Sequence, residues 1–546
     1  MWPTDGVAGS TSMEVFEFII AFLLAGAALT AVSRRIGAPY PAMVALAGAG
    51  VALVPGTPTL VLDPELTLAL FVAPVLLDAA FDASPRDLRA NWRAVSGLAV
   101  GAVVLTIVVV ACVVRWLVPE MPWPVAIALG AIVAPPDAAA ATAVLKQLNP
   151  PYRLLVILEG ESLFNDVSAL LIYRLAVGVT LAGTFSPEGT VPLLLAATVG
   201  SVVLGFVLAR AVIAFLPRIH DVAIVVVFQF CATFAVWILA ERLHLSGILT
   251  VVAFAMTAAR HAADVTPARI RVPSYAVWDL AVFVLNVLAF TLVGFQLKGL
   301  VERLDARTLV EYGGIATAVC VATILARIGW VTGAAAWSRW RHRDTVALSK
   351  GAAAVIGWCG MRGVVTLAAA LALPTGETGG PAFPFRDLVL FSAFAVVLTT
   401  LVVQGLTLRP LMSALRLRDD GSVDREVRLA RVETLRAAMA ATAEHADDEM
   451  AALLRRRYEV LLRRAEVELA GVHEESGAIT RGDRRLDCDM AIVRSAITAE
   501  RHRLIELRAD GTIGDAAFQR IEQELDMEEL DLQQLAPGVE SATAAR

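Results

Sequence analysis

Metal-binding and redox patterns are missing from this sequence. Its five cysteines, Cys112, Cys231, Cys320, Cys359 and Cys488, are scattered without CxxC spacing. That excludes a zinc knuckle, a dithiol redox pair and a secreted disulfide framework. No HExxH and no Walker phosphate loop occurs, and none of the seven histidines (His220, His244, His261, His342, His445, His473, His502) lies clearly inside an apolar run. A zinc hydrolase or a nucleotide-driven machine is therefore not expected. Charge is scarce as well: 18% of residues are charged and 57% are hydrophobic, with a mean hydropathy of +0.68. A soluble chain of 546 residues needs far more polar surface, so the class is a polytopic membrane protein. The net charge of −6 says little about partners, because the charges are segregated. No nucleic-acid partner and no cofactor are expected.

Apolar runs fill residues 12–415, and an Arg-, Glu- and Ala-rich pattern fills 416–546. With about 20 apolar residues needed per crossing, thirteen spans follow. They are 14–33, 40–55, 65–82, 92–118, 123–145, 153–181, 190–217, 221–242, 246–260, 273–297, 308–337, 349–373 and 387–412. The expected fold is an all-α transmembrane domain, 1–415, with a cytoplasmic helical tail, 416–546. Glu14 and Glu17 stand where a signal peptide would be basic, so the first run reads as a retained span. Lys and Arg gather in alternate loops: Arg34 and Arg35; Arg86, Arg89 and Arg93; Lys146 and Arg153; Arg218; Arg260, Arg269 and Arg271; Arg339, Arg341, Arg343 and Lys350. Loop 298–307, with Lys298, Arg303 and Arg307, is the exception. This bias puts the N-terminus outside and the tail in the cytoplasm.

Thirteen spans suit six, a linker span and six more, with the halves as inverted repeats. Spans five and twelve then correspond, and both are interrupted. Span five contains "VAPPDAAAA", where Pro135 and Pro136 break the helix ladder; span twelve contains "IGWCGMRGVV", with Gly357, Gly360 and Gly363 around Arg362. Broken helices in matching positions point to a midplane ion site.

Six charged residues within the spans are singled out: Asp78, Asp137, Glu161, Asp166, Arg327 and Arg362. A charge near the bilayer centre costs a few kcal/mol or more, so such groups are functional candidates. The bland alternative, buried pairs or side chains reaching an interface, accounts for an isolated case but not for six. Arginine stays protonated and demands an anion, so two acids are committed to Arg327 and Arg362 and two remain. The remaining pair could bind a cation or a proton, with oxygen ligands suited to a hard monovalent ion. Ser162 and Asp166, four apart, share a helix face that excludes Glu161. Ser162, Asp166 and Asp137 can thus address one ion, Glu161 can turn to an arginine, and Asn165 can hydrogen-bond the broken span or simply pack helices.

"GESLFNDVSALLIY" resembles the sixth-helix signature of the Na+/H+ exchanger family, monovalent cation:proton antiporter family one, in its bacterial NhaP-type branch. "LLDAAF", "ILAERLHLSGIL", "VWDLAVFVLNVLAFTLVGFQL", "ILARIGWV", "GMRGVVTLAAAL" and "TTLVVQGLTLRPL" continue the likeness in order through residues 12–415. The resemblance implies that Asp166 is the principal cation- and proton-carrying carboxylate, with Asp137 from the unwound fifth helix and Ser162 as ligands of the transported ion. It implies Glu161–Arg327 and Asp78–Arg362 ion pairs, electroneutral exchange of Na+ for H+, a homodimer and an elevator-like movement. One departure stands out: the usual Thr-Asp-Pro of the fifth helix is Pro136-Asp137-Ala138 here, which leaves Na+ against K+ open. A channel and an intramembrane hydrolase, the latter on "GESLF", are the competing classes.

The tail carries heptad-like stretches and a second unit, "AERHRLIELRADGTIGDAAFQRIEQELDMEEL", that reads as helix, turn and helix. A solvated hairpin or a regulatory role fits it. "DGTIGD" lacks the ligands of an EF-hand loop, so calcium binding is not expected.

Overall fold

The computed structural model describes residues 12–36, 39–52, 68–137, 141–142, 150–183, 187–301, 304–341, 349–375, 381–417, 421–443, 449–470, 499–500 and 502–507, with single positions 66, 145, 148, 419, 521, 525 and 527. The chain divides into two compact units, Met1–Ser422 and Val423–Arg546. Among the described residues every regular element is helical.

In the first unit the helices are α1 (Ser12–Ile36), α2 (Tyr40–Ala52), α3 (a π turn Leu68–Val72, then Ala73–Asp82), α4 (Trp92–Leu117), α5 (Trp123–Val133) and α6 (Tyr152–Ala182). They continue as α7 (Pro187–Phe215), α8 (Val222–Arg242), α9 (Gly247–Val265), α10 (Ala268–Val301), α11 (Ala306–Arg341), the two halves of α12 (Lys350–Trp358 and Val364–Leu371) and α13 (Arg386–Leu415). Among the described residues six stretches are long and apolar enough to cross a membrane: Trp92–Leu117, Pro192–Arg218, Val222–Arg242, Ala268–Thr291, Ala306–Ser338 and Arg386–Leu415. Shorter apolar stretches lie at 20–33, 40–51, 123–133 and 247–262. α6 is long but carries Glu159, Glu161 and Asp166 in its middle, so its sequence alone is less apolar.

The starts and stops follow local chemistry. Asp221 accepts from the Ile224 amide (3.0 Å) and Ser349 from the Ala352 amide (3.0 Å), capping α8 and α12. α6 follows Pro151 and ends at Gly183, whose φ of 70° is the left-handed C-terminal geometry that glycine takes without strain.

Contacts divide these helices into two bundles. α1, α2, α3, α7, α8, α9 and α10 pack chiefly on one another; α4, α5, α6, α11, α12 and α13 form the other. Lipid supplies no hydrophobic drive between helices, so close approach through small residues does much of the joining. A Cβ added to Gly48 on α2 would stand 2.5 Å from the Thr291 carbonyl oxygen of α10. Gly48→Ala is therefore expected to destabilise by roughly 1–3 kcal/mol. Gly50→Ala on the same helix meets nothing within 4 Å and should leave the melting curve of detergent-solubilised protein unmoved. Equal melting of the two variants would refute the tight α2–α10 seam.

In the second unit the helices Ser422–Ala443 and Glu449–Ala470 are tied by Arg436 to Glu466 at 2.8 Å. The Glu466 hydrogen bond holds the Arg436 guanidinium above its ordinary pKa. The expected "DGTIGD" turn lies outside the described residues.

Candidate functional site

The second bundle is organised around two interruptions that cross. α5 stops at Val133 because Pro135 and Pro136 have no amide hydrogen to continue the ladder. α12 is not helical from Cys359 to Gly363. Where the two breaks meet, the Asp137 amide donates to the Met361 carbonyl at 2.7 Å. A helix that ends inside protein leaves carbonyls without partners and a negative dipole end. Arg362 answers both: its Nε donates to Val133 O (3.0 Å), its Nη2 to Ala134 O (3.3 Å), and its Nη1 to Gly360 O. The Thr400 hydroxyl of α13 accepts from the Arg362 amide at 3.1 Å, fixing the break from the other side.

This corrects one expectation. Arg362 is not paired with Asp78: its side chain donates to carbonyl oxygens at the end of α5 and to that of Gly360 in the break of α12. Asp78, half-buried on α3, instead lines a cavity of about 380 Å³ inside the first bundle, with Asp82, His261, Arg271 and Asp279. The charge count matched arginine to carboxylate and ignored the helix end, which offers an anionic environment without a formal charge.

Arg327 behaves differently. It reaches from α11 to α6 and donates to both oxygens of Glu161, Nη2 to Oε2 at 2.8 Å and Nη1 to Oε1. Its Nε donates to Ile356 O on α12 at 3.2 Å, so one guanidinium ties three helices. The pair is fully buried, at 2% and 1% exposure. Gly360 is what lets the two arginines pass, since a Cβ there would stand 2.6 Å from Arg327 Cδ and 2.9 Å from Arg362 Nη1.

Asp166 is buried in α6, one helical turn beyond the half-buried Ser162. Among the described residues nothing donates a hydrogen bond to its carboxylate, and the Asp137 carboxylate is close enough to repel a charge on it. Asn165, fully buried beside it, donates from Nδ2 to the Pro136 carbonyl at 2.8 Å, satisfying an oxygen freed by the break. Its Oδ1 is also buried and has no partner among the described residues. Asp137 is half-buried and lies against Gly363, where any Cβ would overlap its carboxylate. The crossing therefore brings together two carboxylates, the Asn165 amide oxygen and the carbonyls of an opened helix. These are hard oxygen donors for a monovalent cation, and the carboxylates are equally able to hold a proton.

Two residues were not singled out from the sequence. Thr400 sits in an apolar run, and nothing in the spacing says which face meets a broken helix; Gly363 was noted only as part of the break in span twelve. Asp279, a lone acid in span ten, carries a legible signal and lines the same cavity as Asp78.

The family model for "Sodium/hydrogen exchanger, transmembrane" matches residues 19–414. Over 417 residues the chain is 31% identical to the "Sodium, potassium, lithium and rubidium/H(+) antiporter" of Bacillus pumilus, covering 73% of this chain and 62% of that longer protein. Over 537 residues it is 29% identical to an "Uncharacterized Na(+)/H(+) exchanger" of Mycobacterium tuberculosis, covering 95% and 96%. The solved sodium proton antiporter MjNhaP1 of Methanocaldococcus jannaschii has the same fold, with a TM-score of 0.59 at 17% identity over 72% of this chain and 99% of that one. The chain belongs to the sodium/hydrogen exchanger family, whose members are secondary transporters of the membrane and not enzymes.

Proposed function

We propose that this chain exchanges a monovalent cation for a proton across the cell membrane, electroneutrally, through competition of the two ions for Asp166 and Asp137. Ser162 and the Asn165 amide complete the site, Pro136 opens it, and Glu161–Arg327 holds it in shape. The observation that carries this reading is Asp166: a buried carboxylate with no hydrogen-bond donor among the described residues, beside a second carboxylate, where two broken helices cross. Such a group is stable only neutral or with a cation at hand, so one ion must leave as the other arrives.

The same reading takes the helices as thirteen crossings in two inverted halves, with α5 and α12 as equivalents, the N-terminus outside and the tail in the cytoplasm. It takes the functional form as a homodimer, with the two bundles moving relative to each other. Sodium is the proposed cation. The printed name of the Bacillus pumilus relative includes potassium, lithium and rubidium, which makes K+/H+ exchange the alternative.

The test is a pH-jump dequenching assay in proteoliposomes with Na+, K+ and Li+ in turn, with and without a valinomycin clamp. Saturable proton flux driven by the cation, abolished by Asp166→Asn and indifferent to the clamp, is expected. Flux that survives Asp166→Asn would sink the site, flux that follows imposed voltage would sink electroneutrality, and single-channel currents would replace exchange by a pore.

A further inference from the structure

Away from the crossing, a charged contact between described residues joins the two bundles. Arg174 lies on α6 eight residues beyond Asp166, about 12 Å along the helix. Its Nη2 stands 3.0 and 3.1 Å from the two oxygens of Glu241 on α8. Glu241 is anchored in the first bundle, because its Oε1 also accepts from the Gly247 amide (3.2 Å) at the start of α9. Gly247 in turn lies against the Trp237 ring, 2.9 Å from where a Cβ would be. Among the described residues, Glu241 is the only hydrogen-bond partner of Arg174.

Elsewhere α6 meets the first bundle through apolar contacts. Leu163 and Phe164 pack on Ala80 and Ala255, and Val167 and Leu170 adjoin the cluster of Leu76 and Phe254. Apolar surfaces are non-directional and tolerate sliding, whereas a guanidinium on a carboxylate has one satisfactory position. The charged pair therefore distinguishes one placement of α6 from another, and the greasy seam does not.

We propose that Arg174 and Glu241 are positioning residues that hold α6, and Asp166 with it, in the described placement against the first bundle, and that each exchange cycle requires their release. This rests on the antiport reading above. Both side chains are partly exposed, at 51% and 39%. A pair of that kind biases the two placements by roughly two- to fivefold and does not hold the fold together.

The experiment uses the full chain with Cys112, Cys231 and Cys488 replaced by serine and the buried Cys320 and Cys359 kept. Arg174→Cys and Glu241→Cys are introduced together and bridged in proteoliposomes with a short bifunctional thiol reagent. Bridging is expected to stop cation-driven proton flux and reduction to restore it, while the reagent leaves either single variant at its own untreated rate. The charge exchange Arg174→Glu with Glu241→Arg is expected to recover the apparent cation affinity that Arg174→Glu alone shifts. Failure of the two thiols to bridge, or full flux through bridged protein, overturns the proposal and leaves antiport standing. Absence of flux in the unmodified chain would instead overturn antiport.

Discussion

Arg327→Ala is expected to melt far below the native chain, a loss of roughly 3–5 kcal/mol, because it strands the Glu161 carboxylate inside the second bundle. The Ile356 carbonyl loses its donor at the same time, and α6, α11 and α12 lose their common tie. The double change Glu161→Leu with Arg327→Met removes both charges and should recover most of the melting temperature, since a buried ion pair is often replaceable by apolar groups of similar volume. Thermal melting in detergent reads both variants against the native chain. A native melting temperature for Arg327→Ala, combined with sharply altered cation affinity, would make Arg327 part of the transport site and not its frame.

Gly363→Ala is expected to abolish exchange in a folded chain. The added methyl group would occupy the volume of the Asp137 carboxylate. The carboxylate must swing away or the crossing must open, at roughly 1–3 kcal/mol, and a 1.4 kcal/mol change is already about tenfold in ion occupancy. Gly178→Ala on α6, which meets open space, is the control and should exchange at the native rate. If Gly363→Ala transports normally, Asp137 does not work from this position.

How much of this was legible beforehand differs residue by residue. Glu161 pointed away from Asp166 on helical spacing alone, and a mid-span arginine demanded an anion; the structure puts Arg327 on Glu161. For Asn165 the spacing left open a bond to the broken span or simple helix packing, and its amide donates to the Pro136 carbonyl. Arg362 was misassigned because sequence shows where a helix breaks but not where its orphaned carbonyls point. Those carbonyls, at Val133 and Ala134, are what Arg362 meets. Arg174 and Glu241 drew no notice, since charges near span ends are ordinary and only their approach across two bundles sets them apart. The start of α10 fell five residues earlier than hydropathy suggested, because the helix runs on through Arg269 and Arg271, whose charges had ended the apolar run.

The π-helical turn Thr400–Gln404 in α13 holds one residue more than an ordinary turn would. Removing that residue would rotate the rest of α13 by about 100°. Thr400 would keep its place at Arg362, while Leu408 and Met412 would leave their buried positions. A related chain one residue shorter here would differ in shape without missing a functional part. When such chains are aligned, the gap belongs inside this turn, with the flanking segments matched independently.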